Sequence, residues 1–91
     1  MAIDSFFLTK VERALKAACQ DDPNVEIDLE EQPPDMVGGQ VLSGSFGSLS
    51  PSERQDRIWD FLDRELNEYE RTRISFIVTD TPEEHRILTA P

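Results

Sequence analysis

The chain is poor in the residues that carry most protein chemistry. Among 91 residues it has one cysteine, Cys19, and one histidine, His85. A lone cysteine forms no internal disulfide and no cysteine-rich metal site, and it fits a reducing compartment, the cytoplasm. Basic residues are scarce too: nine Lys and Arg stand against nineteen Asp and Glu, a formal net charge of −10. Such a field repels phosphate backbones and anionic lipid and favours cationic partners or simply solubility. It argues against nucleic acid as the partner. No apolar run exceeds four residues, so no segment has the length to span a membrane. The first residues show no basic-then-apolar leader pattern. What is present, 37% apolar and 31% charged residues, suits a folded domain rather than a disordered tail. A chain of this size hides only about two thirds of its surface on folding, so residues 1–91 are expected to form a single small domain with one modest core.

Hydropathy then sets the order of elements. From Asp4 to Cys19 the apolar positions Phe7, Leu8, Val11, Leu15 and Ala18 recur with helical spacing, with Asp4 or Ser5 as cap. The period changes to two at Val25, Ile27 and Leu29, which alternate with Glu26, Asp28 and Glu30 as in a half-buried strand. That strand stops at Glu31–Gln32, because Pro33 and Pro34 cannot continue a ladder. Residues 33–39 read as a loop with two glycines available for positive φ, and a second strand is expected around Gln40–Ser43. Phe46 reads as a plug over the core. Ser50, Pro51 and Glu53 spell the strongest helix start in the chain, ahead of the stripe Ile58, Phe61, Leu62 and Leu66. The stretch to Tyr69 reads either as one helix or as a short turn followed by a longer helix. A third strand, Arg73–Thr79, shows Ile74, Phe76 and Val78 on one face, and Thr81–Glu84 repeats the cap signature. The expected architecture is α+β in the order α-β-β-α-α-β, a three-stranded sheet with helices on one face. Leu15, Val25, Ile27, Leu29, Val41, Ile58, Leu62, Leu66, Ile74 and Phe76 are expected in one core.

With that order in hand, the residues resemble the BolA-like family. V-E-R-A-L-K-A-A at Val11–Ala18 matches the wording of the family's first helix, and Asp22–Pro23 followed by V-E-I fits its first strand. Ser43, two residues, then Phe46 looks like the S-x-x-F that closes its second strand. Arg54 follows Phe46 by eight residues, the interval at which the family places the first arginine of its R-H-R signature. Ile58 and Trp59 take the aliphatic–aromatic pair, and T-P-E-E-H at Thr81–His85 is similar to the family's T-P-E-E-W. The resemblance implies a small sheet akin to the type II KH fold, and interaction positions at Phe46, Arg54, Gln55, Trp59, Arg73, Thr81 and Glu84. It also implies a protein partner, a monothiol glutaredoxin, with which the family shares a [2Fe–2S] cluster.

The departures bear on chemistry. R-H-R reads Arg54, Gln55, Asp56, and the histidine at the head of the family's third strand is replaced by Arg73, or by Thr72 with a one-residue slip. A permanently protonated guanidinium does not ligate iron. The loop between the first two strands offers neither His nor Cys. No cofactor and no enzymatic activity are expected. The favoured function is a BolA-like adaptor without iron–sulfur ligation. Two alternatives stand beside it: cluster trafficking with Cys19 or His85 as ligands, and KH-like nucleic-acid binding. For the last, G-S-F-G at Gly44–Gly47 formally spells the KH loop but precedes the helix pair instead of joining it. The carboxylates Glu26, Asp28 and Glu30 read as a solvated strand face.

Overall fold

In the computed structural model, residues 5–89 are described. Helix α1 spans Ser5–Ala18 and buries Phe7, Val11, Ala14, Leu15 and Ala18, the stripe expected from a 3.6-residue period. Asp4, a candidate cap, lies outside the described residues. Strand β1 (Glu26–Gln32) pairs antiparallel with β2 (Met36–Leu42), and β2 pairs parallel with β3 (Ile74–Asp80), in the sheet order β1-β2-β3. Between β2 and β3 the chain makes a 3₁₀ turn (Gly44–Ser48), helix α2 (Pro51–Glu65) and the short helix α3 (Glu68–Arg71); helix α4 (Pro82–Thr89) follows β3. The α+β order and three-stranded sheet are those expected, and α1 and α2 share one face of the sheet.

The starts of α2 and α3 have local causes. Ser50 accepts a hydrogen bond from the Glu53 amide while Glu53 accepts from the Ser50 amide, with Pro51 at the first helical position. Asn67 and Glu70 repeat this reciprocal pair, so the stretch is neither one helix nor a short turn before a longer one: the long helix comes first, breaks at Leu66, and the short one follows. The core is built from α1 and α2 against the sheet, with Leu15, Val11, Phe46, Ile58, Leu62, Val37 and Val41 fully buried. Val25, Ile27 and Leu29 pack against it half-buried, because β1 is an edge strand.

Two expectations are corrected. The loop expected over residues 33–39 contains only residues 33–35; β2 begins at Met36, and Gly38 and Gly39 are strand residues without positive φ. Their use is close approach. A Cβ on Gly38 would lie 2.5 Å from the Phe76 ring, and one on Gly39 would lie 2.6 Å from Leu29 Cδ2. The second correction concerns Phe76, which is 43% exposed instead of in the core. Val37 pairs with Ile74 but Gly38 with Phe76, so Ser75 is an extra residue that bulges from the ladder. That bulge reverses the alternation: Ile74, Ile77 and Thr79 face inward, Phe76 and Val78 outward.

Candidate functional site

Most of the motif positions converge on one hub. Ser43 caps the 3₁₀ turn by accepting from the Ser45 amide, and the tight turn places Phe46 in the core. This gives the S-x-x-F spacing its physical meaning. Arg54, in the first turns of α2, is buried beside the Phe46 ring, with the guanidinium carbon 5.9 Å from the ring centroid. Its Nε donates to the Leu49 carbonyl (3.1 Å) and its Nη1 to the Thr79 carbonyl (3.2 Å). Nη1 and Nη2 also donate to the two carboxylate oxygens of Glu84, at 2.7 and 3.1 Å. Glu84 in turn accepts from the Thr81 amide (2.9 Å), while Thr81 Oγ1 accepts from the Glu84 amide (3.1 Å). Thr81 and Glu84 thus cap α4, and Arg54 fastens that cap to α2. The Arg54 hydrogen bonds and the Thr81 amide hold the Glu84 carboxyl down at about 2.

Gln55 continues the same work along β3. Its Nε2 donates to the Ile77 carbonyl (2.8 Å) and to Thr79 Oγ1 (3.3 Å), so side chains of α2 satisfy carbonyls on the outer edge of the sheet. Trp59, one turn later, is half-buried against the core.

Arg73 stands apart, at the head of β3. Its guanidinium carbon lies 4.9 Å from the centroid of Phe7 and 5.7 Å from that of Tyr69, and its Nε donates to the Asp35 carbonyl at 3.1 Å. The loop between β1 and β2 and the start of β3 therefore meet, and what joins them is a cation. The donor set does not fit an iron–sulfur cluster: Arg73 stays protonated, and residues 33–35 are Pro, Pro and Asp. Among the described residues no group of three or more His, Cys, Asp or Glu side chains is placed to hold a metal.

The two residues considered as substitute ligands are otherwise engaged. Cys19 is fully buried beside Ser43 and Ser45, and burial pushes its thiol up. His85 Nδ1 lies 3.2 Å from Gln40 Nε2, so the imidazole accepts through Nδ1. Sequence reasoning passed over Asp22 as a site-building residue. Its carboxylate accepts from the Asn24 amide (2.9 Å), from Ser43 Oγ (2.8 Å) and from the Gly44 amide (3.0 Å), which lowers its pKa. The Asp-Pro-Asn turn is the signal that points to such capture of neighbouring amides. Asp22 also takes the Gly44 amide, the first that the Gly44–Gly47 turn could offer to a phosphate.

The resemblance seen in the sequence has a structural counterpart. A crystal structure of a Bol-like protein from Babesia bovis superposes with a TM-score of 0.55, covering 88% of this chain and 90% of that one at 14% identity. The chain has a BolA-like fold. No family model matches the chain, and no curated protein matches it. On this BolA-like fold, the Arg54–Glu84 hub locks α2, β3 and α4 together. Arg73 occupies the strand head, the place at which the sequence resemblance expects a histidine. No helix among the described residues is long and apolar enough to cross a membrane.

Proposed function

We propose that this domain is a non-enzymatic protein-interaction module on a BolA-like scaffold, which does not share an iron–sulfur cluster with its partner. Arg73 carries the reading. Where the resemblance calls for an imidazole, a permanent positive charge is stacked on Phe7 and Tyr69 and tied to the Asp35 carbonyl. The burial of the Cys19 thiol and the hydrogen bond between His85 and Gln40 support the non-enzymatic part. The resemblance names the partner class, a monothiol glutaredoxin. The motif residues Gln55, Trp59, Arg73, Thr81 and Glu84 are half-exposed and available to meet it, whereas Phe46 and Arg54 are buried.

Absorbance spectroscopy tests this. The isolated domain is expected to purify colourless, and adding it to a monothiol glutaredoxin that carries its own [2Fe–2S] cluster is expected to leave the spectrum unchanged. A variant with Arg73→His and Asp35→His restores two nitrogen ligands where β3 and the loop meet. A shift of the cluster bands in that variant alone supports a silenced site. The same shift with the unmodified domain overturns the reading and directs attention to Cys19 or His85.

A further inference from the structure

The sheet face turned away from α1 and α2 has an organisation that the hub does not use. Register aligns Glu30, Gly38 and Phe76 in one row across the three strands, and Asp28, Gln40 and Val78 in the next. Gly38 lacks a side chain and the Phe76 ring lies over it, so this row has a flat aromatic floor. Phe76 and Val78 are 43% and 40% exposed, and Asp28, Glu30, Gly39 and Gln40 join them around a depression of about 250 Å³.

The carboxylates at its rim form no salt bridge with another described residue. The salt bridges among the described residues lie elsewhere, Lys10 to Glu70, Arg13 to Glu65, Lys16 to Glu12, Arg54 to Glu84 and Arg71 to Asp63. Among the described residues no Lys or Arg pairs with Asp28 or Glu30. Same-face strand residues stand about 6.8 Å apart, and among the described residues no group of three or more His, Cys, Asp or Glu side chains is placed to hold a metal. The repeat equals that of alternate side chains on a second extended peptide.

We infer that the open sheet face is a docking surface for an extended basic segment of a protein partner, with arginines at alternate positions. A guanidinium beside the Glu30 carboxylate, whose Oε1 accepts from Gln32 Nε2 at 3.4 Å, reaches the outer face of the Phe76 ring, which covers Gly38 between them. It can fork onto the first and stack on the second, which an ammonium cannot do. The net charge of −10 steers such a segment inward. The inference rests on the reading of the domain as a protein-interaction module and adds where and with what chemistry it binds.

Titration of the ¹⁵N-labelled full chain with the blocked peptide Ac-(Arg-Gly)₃-NH₂ tests it, with the Lys-Gly and Glu-Gly peptides alongside. The expected shifts concentrate at the amides of Gly38, Gln40, Phe76 and Val78. Binding is expected to be tightest for the Arg peptide and absent for the Glu peptide. It should weaken at least about fivefold in the Asp28→Asn/Glu30→Gln variant and measurably in Phe76→Leu. All three substituted side chains are exposed, and an unchanged amide spectrum elsewhere confirms the fold. Equal shifts along the acidic face of α2, undiminished in both variants, overturn the inference. So do concentration-dependent shifts at the same four amides without peptide, which assign the face to a second copy of the chain. If the peptide fails while a glutaredoxin or another protein still binds, this surface falls and the interaction-module reading stands.

Discussion

Glu84 illustrates how one side chain decides the arrangement of two elements. Its carboxylate caps α4 through the Thr81 amide and receives both terminal nitrogens of Arg54. The folded protein therefore prefers the ionised form, and the pKa falls from an ordinary 4.5 to about 2. A depressed carboxylate contributes stability in full above its unfolded value and loses it as pH falls through the folded one. Glu84→Gln is accordingly expected to be less stable than the parent at pH 7, with the difference shrinking between about pH 4.5 and pH 2. Urea unfolding at a series of pH values checks this; a difference that persists undiminished at pH 2 refutes it. Arg54→Ala removes the donor to the Leu49 and Thr79 carbonyls as well, and is expected to cost about 1–3 kcal/mol at neutral pH. The R and E of this pair were legible as motif positions, but their bond was not. They lie 30 residues apart, and only the crossover through α2 and β3 makes them neighbours.

At the scale of elements, local chemistry was legible and strand phase was not. The reciprocal caps at Ser50–Glu53 and Thr81–Glu84 are short-range arrangements, so the residues alone declare them. The alternation of β3, in contrast, is broken by the extra residue Ser75, whose hydroxyl donates to Gln32 Oε1 at 2.6 Å. Nothing in I-S-F-I-V-T announces a bulge, because it exists only in the register with β2. The glycine pair in β2 follows the same logic. At Gly39 an added Cβ would meet Leu29 Cδ2 at 2.6 Å, the Asp28 carbonyl at 3.1 Å and Ile77 Cδ1 at 3.3 Å, on the packed side of the sheet. At Gly38 it would meet the Phe76 ring and the Gln32 amide, both of which can swing into solvent. Gly39→Ala is therefore expected to destabilise by about 1–3 kcal/mol, as overpacking does, and Gly38→Ala by clearly less. Chemical denaturation of the two variants side by side checks the ranking, and the reverse order contradicts the assignment of the two faces.

For the whole molecule, charge and topology lead to one prediction about nucleic acid. The net charge of −10 opposes a polyphosphate, and the Gly44–Gly47 turn precedes α2 with Asp22 already on its first amide. The domain is expected to bind DNA or RNA no more tightly than the non-specific range of about 10⁻⁴–10⁻⁶ M at physiological salt. A salt-titrated mobility shift measures this, and a specific sub-micromolar complex contradicts it. The sequence by itself determined the acidic charge, the order of the main elements, most of the helix starts and the lack of a histidine at the head of β3. These depend on composition or on residues within a turn of one another, where propensity and capping act without help. Tertiary structure decided which face of β3 is buried, why β2 needs glycine, and that Arg73 stacks on Phe7 and Tyr69. It also joined Arg54 to Glu84. Each of these is a contact between segments far apart in the chain, and its energy exists only once the sheet register brings them together.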